Sequence, residues 1–242
     1  ANYRIVSSVV LSVTGICCLM ALHRWMLRVV IGICCFMHYF ANRNRGVDDF
    51  TSTSDLVIVD TTSGKILGRR DNADGVNSFL GIPYAEPPTG RLRFRPPRPK
   101  RAWYPSLYRA LNFAPECLQS TLYAAEEDED SDRIRDEDCL YLNIWQPATK
   151  RKRQHKAKGG KDELLPVMIW VYGGAFIHGG ASKPEYVGNR LAARGVIVVS
   201  FNYRLGALGF LVSVADGLYG NYGLDDQKTA IQWVRDNIHA FG

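Results

Sequence analysis

A glycine-rich loop directly behind an apolar run is the part of this sequence most suited to chemistry. Residues 170–180 read WVYGGAFIHGG. During acyl transfer, negative charge builds on a carbonyl oxygen, and fixed backbone N–H groups stabilise that charge best. Small residues let a substrate approach such groups, and glycine permits the unusual backbone angles involved. Gly173, Gly174 and Ala175 are therefore candidates for an oxyanion-binding loop, with a plain strand-to-helix turn as the alternative.

Two other uses of the loop fit its residues less well. The glycine spacing over 173–180 matches neither G-x-G-x-x-G nor G-x-x-x-x-G-K-[ST], the common phosphate-binding patterns. Lys183 is followed by a proline and is not placed to meet a phosphate. His178 has no acidic residue placed to orient it as a base, so we interpret this histidine as structural.

The elements around the loop predict an α/β fold. Val167–Tyr172 and Val196–Tyr203 are continuous apolar runs of the kind found in buried strands. The pattern of Tyr186–Arg194 predicts a helix, and so does that of Asp225–Ile238. The apolar side chains at helical spacing in the second of these are Ala230, Ile231, Val234 and Ile238. This alternation predicts buried parallel strands joined by crossover helices.

Shorter strands come earlier in the chain. Leu56–Asp60, Lys65–Gly68 and Val76–Gly81 are strand-like runs separated by turn residues, which predicts a short antiparallel meander. Pro83–Pro99 is rich in proline, arginine and glycine and predicts an irregular loop. Leu140–Trp145 is a further strand candidate.

The amino-terminal segment is apolar enough to cross a membrane. Ile5–Leu22 contains no charged residue, and eighteen residues of helix measure about 27 Å, close to the hydrocarbon thickness of a bilayer. A helix extended through the next apolar run, Val29–Phe40, would bury Arg24 and Arg28 at about 2.5–3.5 kcal/mol each. The sequence therefore favours a single span over about residues 5–22.

These patterns divide the chain into three parts. Residues 1–42 are predicted to form a membrane anchor or signal segment, 43–55 a linker, and 56–242 a globular domain. A cleaved signal peptide is the alternative to the anchor, although its apolar core is usually shorter and no clear cleavage site follows. We expect a single-pass membrane protein with an extracellular or luminal domain, or else a secreted protein.

Charge and composition limit the function classes. Apolar residues make up 46% of the chain, which is enough to form a core. The net charge of +6 owes much to one run, Lys150–Lys158, and no aromatic residue is interleaved there to stack bases. We therefore expect a solvated loop and no nucleic-acid partner.

Two cysteines of the globular part enclose an acidic segment. Cys117 and Cys139 flank a 21-residue stretch that contains EEDED at 126–130. This arrangement suits a disulfide in an oxidising compartment, and two free thiols are the alternative.

The sequence contains five longer motifs: FLGIPYAEPPTG at 79–90 followed by LRF at 92–94, EDCLYLNIW at 137–145, PVMIWVYGG at 166–174, NYRLG at 202–206 and GNYGLDDQ at 220–227. Together these motifs resemble the type-B carboxylesterase and cholinesterase family. They occur in consistent order from about Leu56 to Gly242 and correspond to roughly the first third of such a domain. The resemblance implies an α/β-hydrolase fold, present here as its amino-terminal portion.

The resemblance also implies roles for single residues. The activity that it implies requires no cofactor or metal. The implied roles are oxyanion-hole donors at Gly174 and Ala175, a disulfide between Cys117 and Cys139, and structural ion pairs of Arg93 with Glu137 and Arg204 with Asp226. Loss of one partner of such a pair would leave a buried charge unpaired, at about 3–5 kcal/mol.

Two departures from the family pattern affect the functional expectation. No G-x-S-x-G, the motif that carries the nucleophilic serine, occurs in the 242 residues, and in the family it lies shortly beyond a sequence like that of Asn237–Gly242. We therefore expect the amino-terminal part of a longer protein, inactive by itself. The segment between the two cysteines has Tyr123 but no tryptophan, so the quaternary-ammonium substrate of cholinesterases is not expected.

Two functions remain open for the longer protein. The first is a membrane-anchored or secreted carboxylic ester hydrolase with a serine nucleophile and a small-molecule ester substrate; the intact Gly174–Ala175 pair favours it. The alternative is an adhesion protein with an esterase-like ectodomain, similar to neuroligins and neurotactins, which binds a protein partner without catalysis. The apolar anchor and the basic insert Lys150–Lys161 favour that alternative.

Overall fold

The computed structural model of the protein describes residues 55–119, 133–148 and 164–242. The predicted anchor, nearly all of the predicted linker and the basic run at 150–158 lie outside these residues, and those predictions stay predictions. Among the described residues, no helix has the length and apolar character that a membrane span requires.

Eleven strands and three α-helices are described. The strands are β1 (Leu56–Thr61), β2 (Gly64–Asp71), β3 (Val76–Pro83), β4 (Leu107–Arg109), β5 (Glu116–Cys117), β6 (Arg135–Asp136), β7 (Tyr141–Pro147), β8 (Val167–Trp170), β9 (Ile197–Phe201), β10 (Val212–Ser213) and β11 (Leu218–Tyr219). The helices are α1 (Asn189–Ala192), α2 (Gly206–Phe210) and α3 (Tyr222–Asn237). Three 3₁₀ turns span Gly90–Leu92, Pro184–Tyr186 and Ile238–Phe241.

The meander predicted from the first three apolar runs is confirmed. β1 pairs antiparallel with β2, and β2 with β3. The turn between β2 and β3 is closed by Asp71, whose Oδ1 accepts hydrogen bonds from the N–H groups of Ala73 at 2.9 Å and Asp74 at 3.2 Å. Gly75 completes this turn at φ +63°, where glycine is favoured. Short polar side chains and glycine therefore place this turn.

The main sheet is mixed, with strand order β1-β2-β3-β7-β9-β8 and β4 beside β2. β7 runs antiparallel to both β3 and β9, whereas β8 runs parallel to β9. Because β8 and β9 are parallel, their carboxyl ends meet at one edge of the sheet. The glycine-rich loop and the segment after β9 leave the sheet at this edge, which places them side by side.

The two apolar strands differ in burial. All five residues of β9 are buried, as expected from their sequence. β8 was expected to be buried too, and that prediction is wrong for its four residues: Met168 is 48% and Trp170 45% exposed. The reason is its position, because β8 pairs with β9 on one edge and has no partner on its other edge among the described residues.

The predicted helices form to different extents. Asp225–Ile238 lies within or next to α3, which begins three residues earlier at Tyr222 and ends at Asn237. Ala230 and Val234 face the core as predicted, but Ile231 is 45% exposed. The helix predicted over Tyr186–Arg194 is reduced to the single turn of α1 after a 3₁₀ turn. The preceding Gly188 packs so closely on Trp145 that a Cβ there would lie 2.7 Å from the indole ring.

The end of α3 is tied to the start of the meander. Oδ1 of Asn237 accepts hydrogen bonds from the backbone N–H of Thr62 at 2.9 Å and from its hydroxyl at 2.8 Å. Just beyond, the ring of Phe241 meets that of Phe79 edge to face, with centroids 5.0 Å apart. These contacts join residues far apart in sequence, and they close the core over one face of the sheet.

The exposed edge of β8 predicts self-association. A polypeptide of residues 47–242 produced alone is expected to form oligomers, because an unpaired edge strand with exposed apolar side chains is a template for pairing with another chain. The substitution Ile169→Lys places a charge on that edge and is expected to reduce the association. Light scattering after size-exclusion chromatography measures both. Val214→Lys, which changes a residue 90% exposed and outside β8, is the matched control.

A monodisperse, cooperatively unfolding monomer of residues 47–242 would contradict this prediction. An equal effect of the two lysine substitutions would show that general solubility, and not the β8 edge, controls the association.

Candidate active site

Two tyrosines join the carboxyl ends of β8 and β9, from which the site is built. The Tyr172 hydroxyl donates to the carbonyl of Tyr203 at 3.1 Å, and the Tyr203 hydroxyl donates to the carbonyl of Tyr172 at 3.0 Å. Their rings stack with centroids 4.6 Å apart. Burial raises the pKa of both phenols, so each stays a neutral hydrogen-bond donor. This reciprocal pair sets the spacing of the two segments that leave the sheet.

The glycine-rich loop then turns through left-handed backbone angles. Gly174 has φ +130°, Ala175 +51° and Phe176 +65°. The Gly174 carbonyl accepts hydrogen bonds from the N–H groups of Ile177 at 3.0 Å and His178 at 3.2 Å, which closes the turn. A Cβ at Gly174 would lie 1.9 Å from the His178 carbonyl oxygen, so only glycine fits. Ala175 and Phe176 are non-glycine residues in a conformation that costs of order 1–3 kcal/mol, which is typical of functional sites.

The loop leaves backbone donors available at its tip. The N–H groups of Gly173, Gly174 and Ala175 donate to no acceptor among the described residues. Gly174 is half-buried and Ala175 is exposed, so a ligand can reach this part of the loop. Successive N–H groups presented in this way can bind a negatively charged oxygen. Both predicted oxyanion donors, Gly174 and Ala175, lie at this tip.

The tip is anchored to the segment after β9 at Phe176. Its carbonyl accepts a hydrogen bond of 2.7 Å from the N–H of Gly206, the first residue of α2. Its ring packs against that of Phe210, with centroids 5.0 Å apart, and remains 49% exposed. The left-handed turn is therefore braced by a neighbouring helix, and an apolar surface lies beside it.

His178 takes part in the turn through its backbone. Its ring is half-buried, and no carboxylate among the described residues forms a hydrogen bond or ion pair with it. This placement fits the structural role assigned to His178. The described residues also contain no group of three or more His, Cys, Asp or Glu side chains that could hold a metal ion.

Asn202 connects the back of the loop to β9, a role that sequence reasoning missed. Its Oδ1 accepts a hydrogen bond of 2.8 Å from the N–H of Ala181, and its Nδ2 donates to the Pro115 carbonyl at 3.0 Å. Its own carbonyl accepts the Tyr84 hydroxyl at 2.6 Å. Asn202 stands in the NYRLG motif used for the family resemblance, but nothing in its sequence position shows which segments it bridges.

The structure joins Cys117 and Cys139 by a disulfide, as the resemblance implies. Both residues are buried, and their Cα atoms are 5.0 Å apart. β5 carries Cys117 and pairs with β6, while Cys139 lies two residues before the start of β7. The disulfide therefore fixes the segment around Cys117 to the main sheet.

The two predicted ion pairs form with different burial. Arg204 donates to Asp226 through Nε at 2.8 Å and Nη2 at 2.7 Å, and the Arg204 N–H adds a third bond of 3.0 Å. Burial raises the pKa of the Asp226 carboxyl, and these bonds oppose that shift. The Nη1 of Arg204 has no hydrogen-bond partner among the described residues. Arg204 and Asp226 are 3% and 0% exposed, so the pair is inside the protein.

Arg93 and Glu137 also form a two-point pair, with Nε–Oε2 and Nη2–Oε1 distances of 2.6 and 2.7 Å. Their side chains are 43% and 21% exposed. The expectation that loss of one partner would leave a buried charge is therefore wrong for this pair. Water can hydrate either charge when the other is removed.

The chain is similar in sequence to known esterases. A family model described as "Carboxylesterase family" matches residues 55–242. Fumonisin B1 esterase of Sphingopyxis macrogoltabida is 46% identical over 196 residues, which cover 75% of this chain and 32% of that protein. Acetylcholinesterase of Electrophorus electricus is 43% identical over 192 residues, covering 75% and 29%. Para-nitrobenzyl esterase of Bacillus subtilis (strain 168) is 41% identical over 197 residues, covering 76% and 35%.

Solved structures agree with these matches. A thermophilic PNB esterase superposes with a TM-score of 0.65 at 42% identity, covering 76% of this chain and 36% of that one. Another PNB esterase structure gives 0.64 at 43% identity, covering 76% and 35%. The chain thus spans about a third of the length of the proteins it matches.

The contrast between the two ion pairs predicts unequal effects of similar substitutions. Asp226→Asn leaves the Arg204 charge buried without its counter-ion and is expected to lower the free energy of unfolding by about 3–5 kcal/mol. Glu137→Gln, the matched control, is expected to cost far less because Arg93 stays hydrated. Urea unfolding of the full-length protein, followed by tryptophan fluorescence, measures both. Equal losses would show that burial does not distinguish the pairs.

Proposed function

The chain belongs to the carboxylesterase family, and on that premise we propose that its protein is a carboxylic ester hydrolase to which this chain contributes the oxyanion-binding loop. The mixed sheet is the amino-terminal portion of an α/β-hydrolase fold. One observation supports the proposal above the others: Gly174 and Ala175 present free backbone N–H groups in a turn that neighbouring segments hold in place. An adhesion protein would have no need of these donors.

The chemistry follows from the charge that ester cleavage creates. A nucleophilic oxygen adds to the ester carbonyl, and negative charge moves onto the carbonyl oxygen. Two N–H groups already in place stabilise that oxygen without reorganising, which lowers the barrier. The serine, its histidine and the acid are assigned to residues outside this sequence, because no G-x-S-x-G occurs in it. The chain is therefore expected to be inactive by itself.

The surroundings of the loop favour an ester with an apolar group. Phe176 and Phe210 form an aromatic surface directly beside the donors, and Phe176 remains half exposed. Apolar substrate groups gain free energy when they cover such a surface. The 21 residues between Cys117 and Cys139 contain no tryptophan, so a choline ester is not proposed.

The oxyanion role predicts how adding one methyl group at Gly174 changes the rate of ester hydrolysis. In the full-length protein, Gly174→Ala is expected to lower kcat for a p-nitrophenyl ester by about a hundredfold or more, because its Cβ cannot fit 1.9 Å from the His178 carbonyl and the donors must move. Gly217→Ala is the control, since Gly217 also has a positive φ, of 66°, but has nothing within 4 Å of a Cβ. It is expected to retain activity.

Two results would contradict the proposal. The first is an unaltered full-length protein that hydrolyses no ester above a heat-inactivated control. The second is retention of full activity by Gly174→Ala, which would separate catalysis from this loop.

The amino-terminal run is proposed to anchor the protein with its hydrolase domain in an oxidising compartment. Ile5–Leu22 supports this by its length and lack of charge, and the Cys117–Cys139 disulfide supports the compartment. The full-length protein is expected to stay in the membrane pellet after an alkaline carbonate wash. Release into the supernatant would overturn the anchor and favour a secreted protein.

A further inference from the structure

The second half of the glycine-rich loop takes its hydrogen bonds mainly from side chains. Residues 179–181 lie outside the helices and strands and are nevertheless buried. Buried backbone groups need partners, and no neighbouring strand supplies them here. The partners of these backbone groups come from Asn202 and Ser200 on one side and from Gln119 on the other.

Gln119 binds one loop residue at both of its backbone groups. Its Oε1 accepts a hydrogen bond of 2.7 Å from the Gly179 N–H, and its Nε2 donates to the Gly179 carbonyl at 2.9 Å. Nε2 also lies 3.2 Å from the Cys117 carbonyl oxygen. A carboxamide offers a donor and an acceptor in one planar group without a change of protonation, so the side chain pairs with Gly179 as a strand would.

Gly179 in turn lies against the front of the loop. It has φ +124°, and a Cβ there would be 2.7 Å from both the Gly173 carbonyl oxygen and the Tyr172 ring. The neighbouring His178 carbonyl is similarly close to Gly174. The two halves of the loop thus pack backbone to backbone, and displacement of Gly179 displaces the donors at Gly174.

Glu116 supplies a second tie from the same segment. Its Oε1 accepts hydrogen bonds from the Ser182 hydroxyl at 2.6 Å and from Nη1 of Arg133 at 2.9 Å. The carboxylate occupies the space that a Cβ at Gly180 would take. Since Glu116 and Gln119 flank Cys117, the disulfide that fixes Cys117 also fixes the supports of the loop.

We infer that Gln119 is a positioning residue for ester hydrolysis: it holds Gly179, and through Gly179 the Gly174 and Ala175 donors, at the geometry that the oxyanion requires. The inference rests on the proposed function. A support that only stabilises the fold would affect the fraction of folded protein. A positioning residue affects the rate of each folded molecule, because a displacement of about 1 Å can lower a rate a hundredfold.

The test uses the full-length protein and a p-nitrophenyl butyrate assay corrected for active sites. Gln119→Met keeps the side-chain length and removes both hydrogen bonds to Gly179. We expect kcat to fall by about 10- to 100-fold, with KM changed by less than about threefold. The affinity for a trifluoromethyl ketone, which forms a tetrahedral oxyanion, is expected to fall by the same factor as kcat. Hydrogen exchange of a peptide containing Gly179 is expected to accelerate.

A second variant distinguishes a loss of positioning from misfolding. Gln119→Glu keeps an acceptor for the Gly179 N–H but places a carboxylate oxygen against the Gly179 carbonyl, and protonation of that carboxylate restores a donor. Its kcat relative to the unaltered protein is therefore expected to rise as the pH falls from about 7 to about 5, toward the ordinary pKa of a glutamate, about 4.3. Thr62→Val is the matched control, since it removes a side-chain hydrogen bond of 2.8 Å to Asn237 away from the loop. It is expected to leave kcat per active site unchanged.

The results that would contradict the role of Gln119 differ from those that would contradict the proposed function. If the unaltered protein hydrolyses the ester but both Gln119 variants match it per active site, Gln119 is not a positioning residue and the proposed function stands. An equal loss of kcat in Thr62→Val would overturn the inference in the same way. If the unaltered protein neither hydrolyses the ester nor binds the ketone, the proposed function fails, and the inference fails with it.

Discussion

The chain turns inside the protein after β9, and this burial requires partners for the polar groups of Asn202, Tyr203 and Arg204. None of the three is more than 4% exposed. A buried polar group without a partner costs about as much as a lost hydrogen bond. The partners are Pro115 and Ala181 for Asn202, Tyr172 for Tyr203 and Asp226 for Arg204. One turn thereby ties the disulfide segment, the glycine-rich loop, β8 and α3 together.

This junction explains how a loop with unfavourable backbone angles keeps one shape. Ala175 and Phe176 occupy the left-handed region, which persists only where surrounding contacts determine it. Tyr172 fixes the start of the loop, Gly206 holds its tip, and Gln119 holds its back. The three contacts come from different parts of the chain. The loop is thus placed by its neighbours, and its small residues make that placement possible.

Sequence patterns predicted the elements best where burial is decided locally. The apolar spacing of α3 and the continuous apolar run of β9 identified both correctly, because α3 buries one face and β9 is buried along its whole length. The same reasoning was wrong for the burial of β8, since a run of apolar residues does not report whether a strand has one neighbour or two. It overestimated the helix at Tyr186–Arg194 because the close packing of Gly188 on Trp145 is a tertiary contact.

The sequence by itself determined the family and the fold class, because these depend on residue types in a fixed order. The family resemblance implied the disulfide between Cys117 and Cys139, and the structure shows it. Only the tertiary structure decided that Arg204–Asp226 is buried while Arg93–Glu137 is hydrated, although the two pairs have similar geometry. It alone brought Gln119 to Gly179, sixty residues away in the chain. A side chain's hydrogen-bond capacity can be read from its type, whereas its partner and its access to water depend on which segments fold against it.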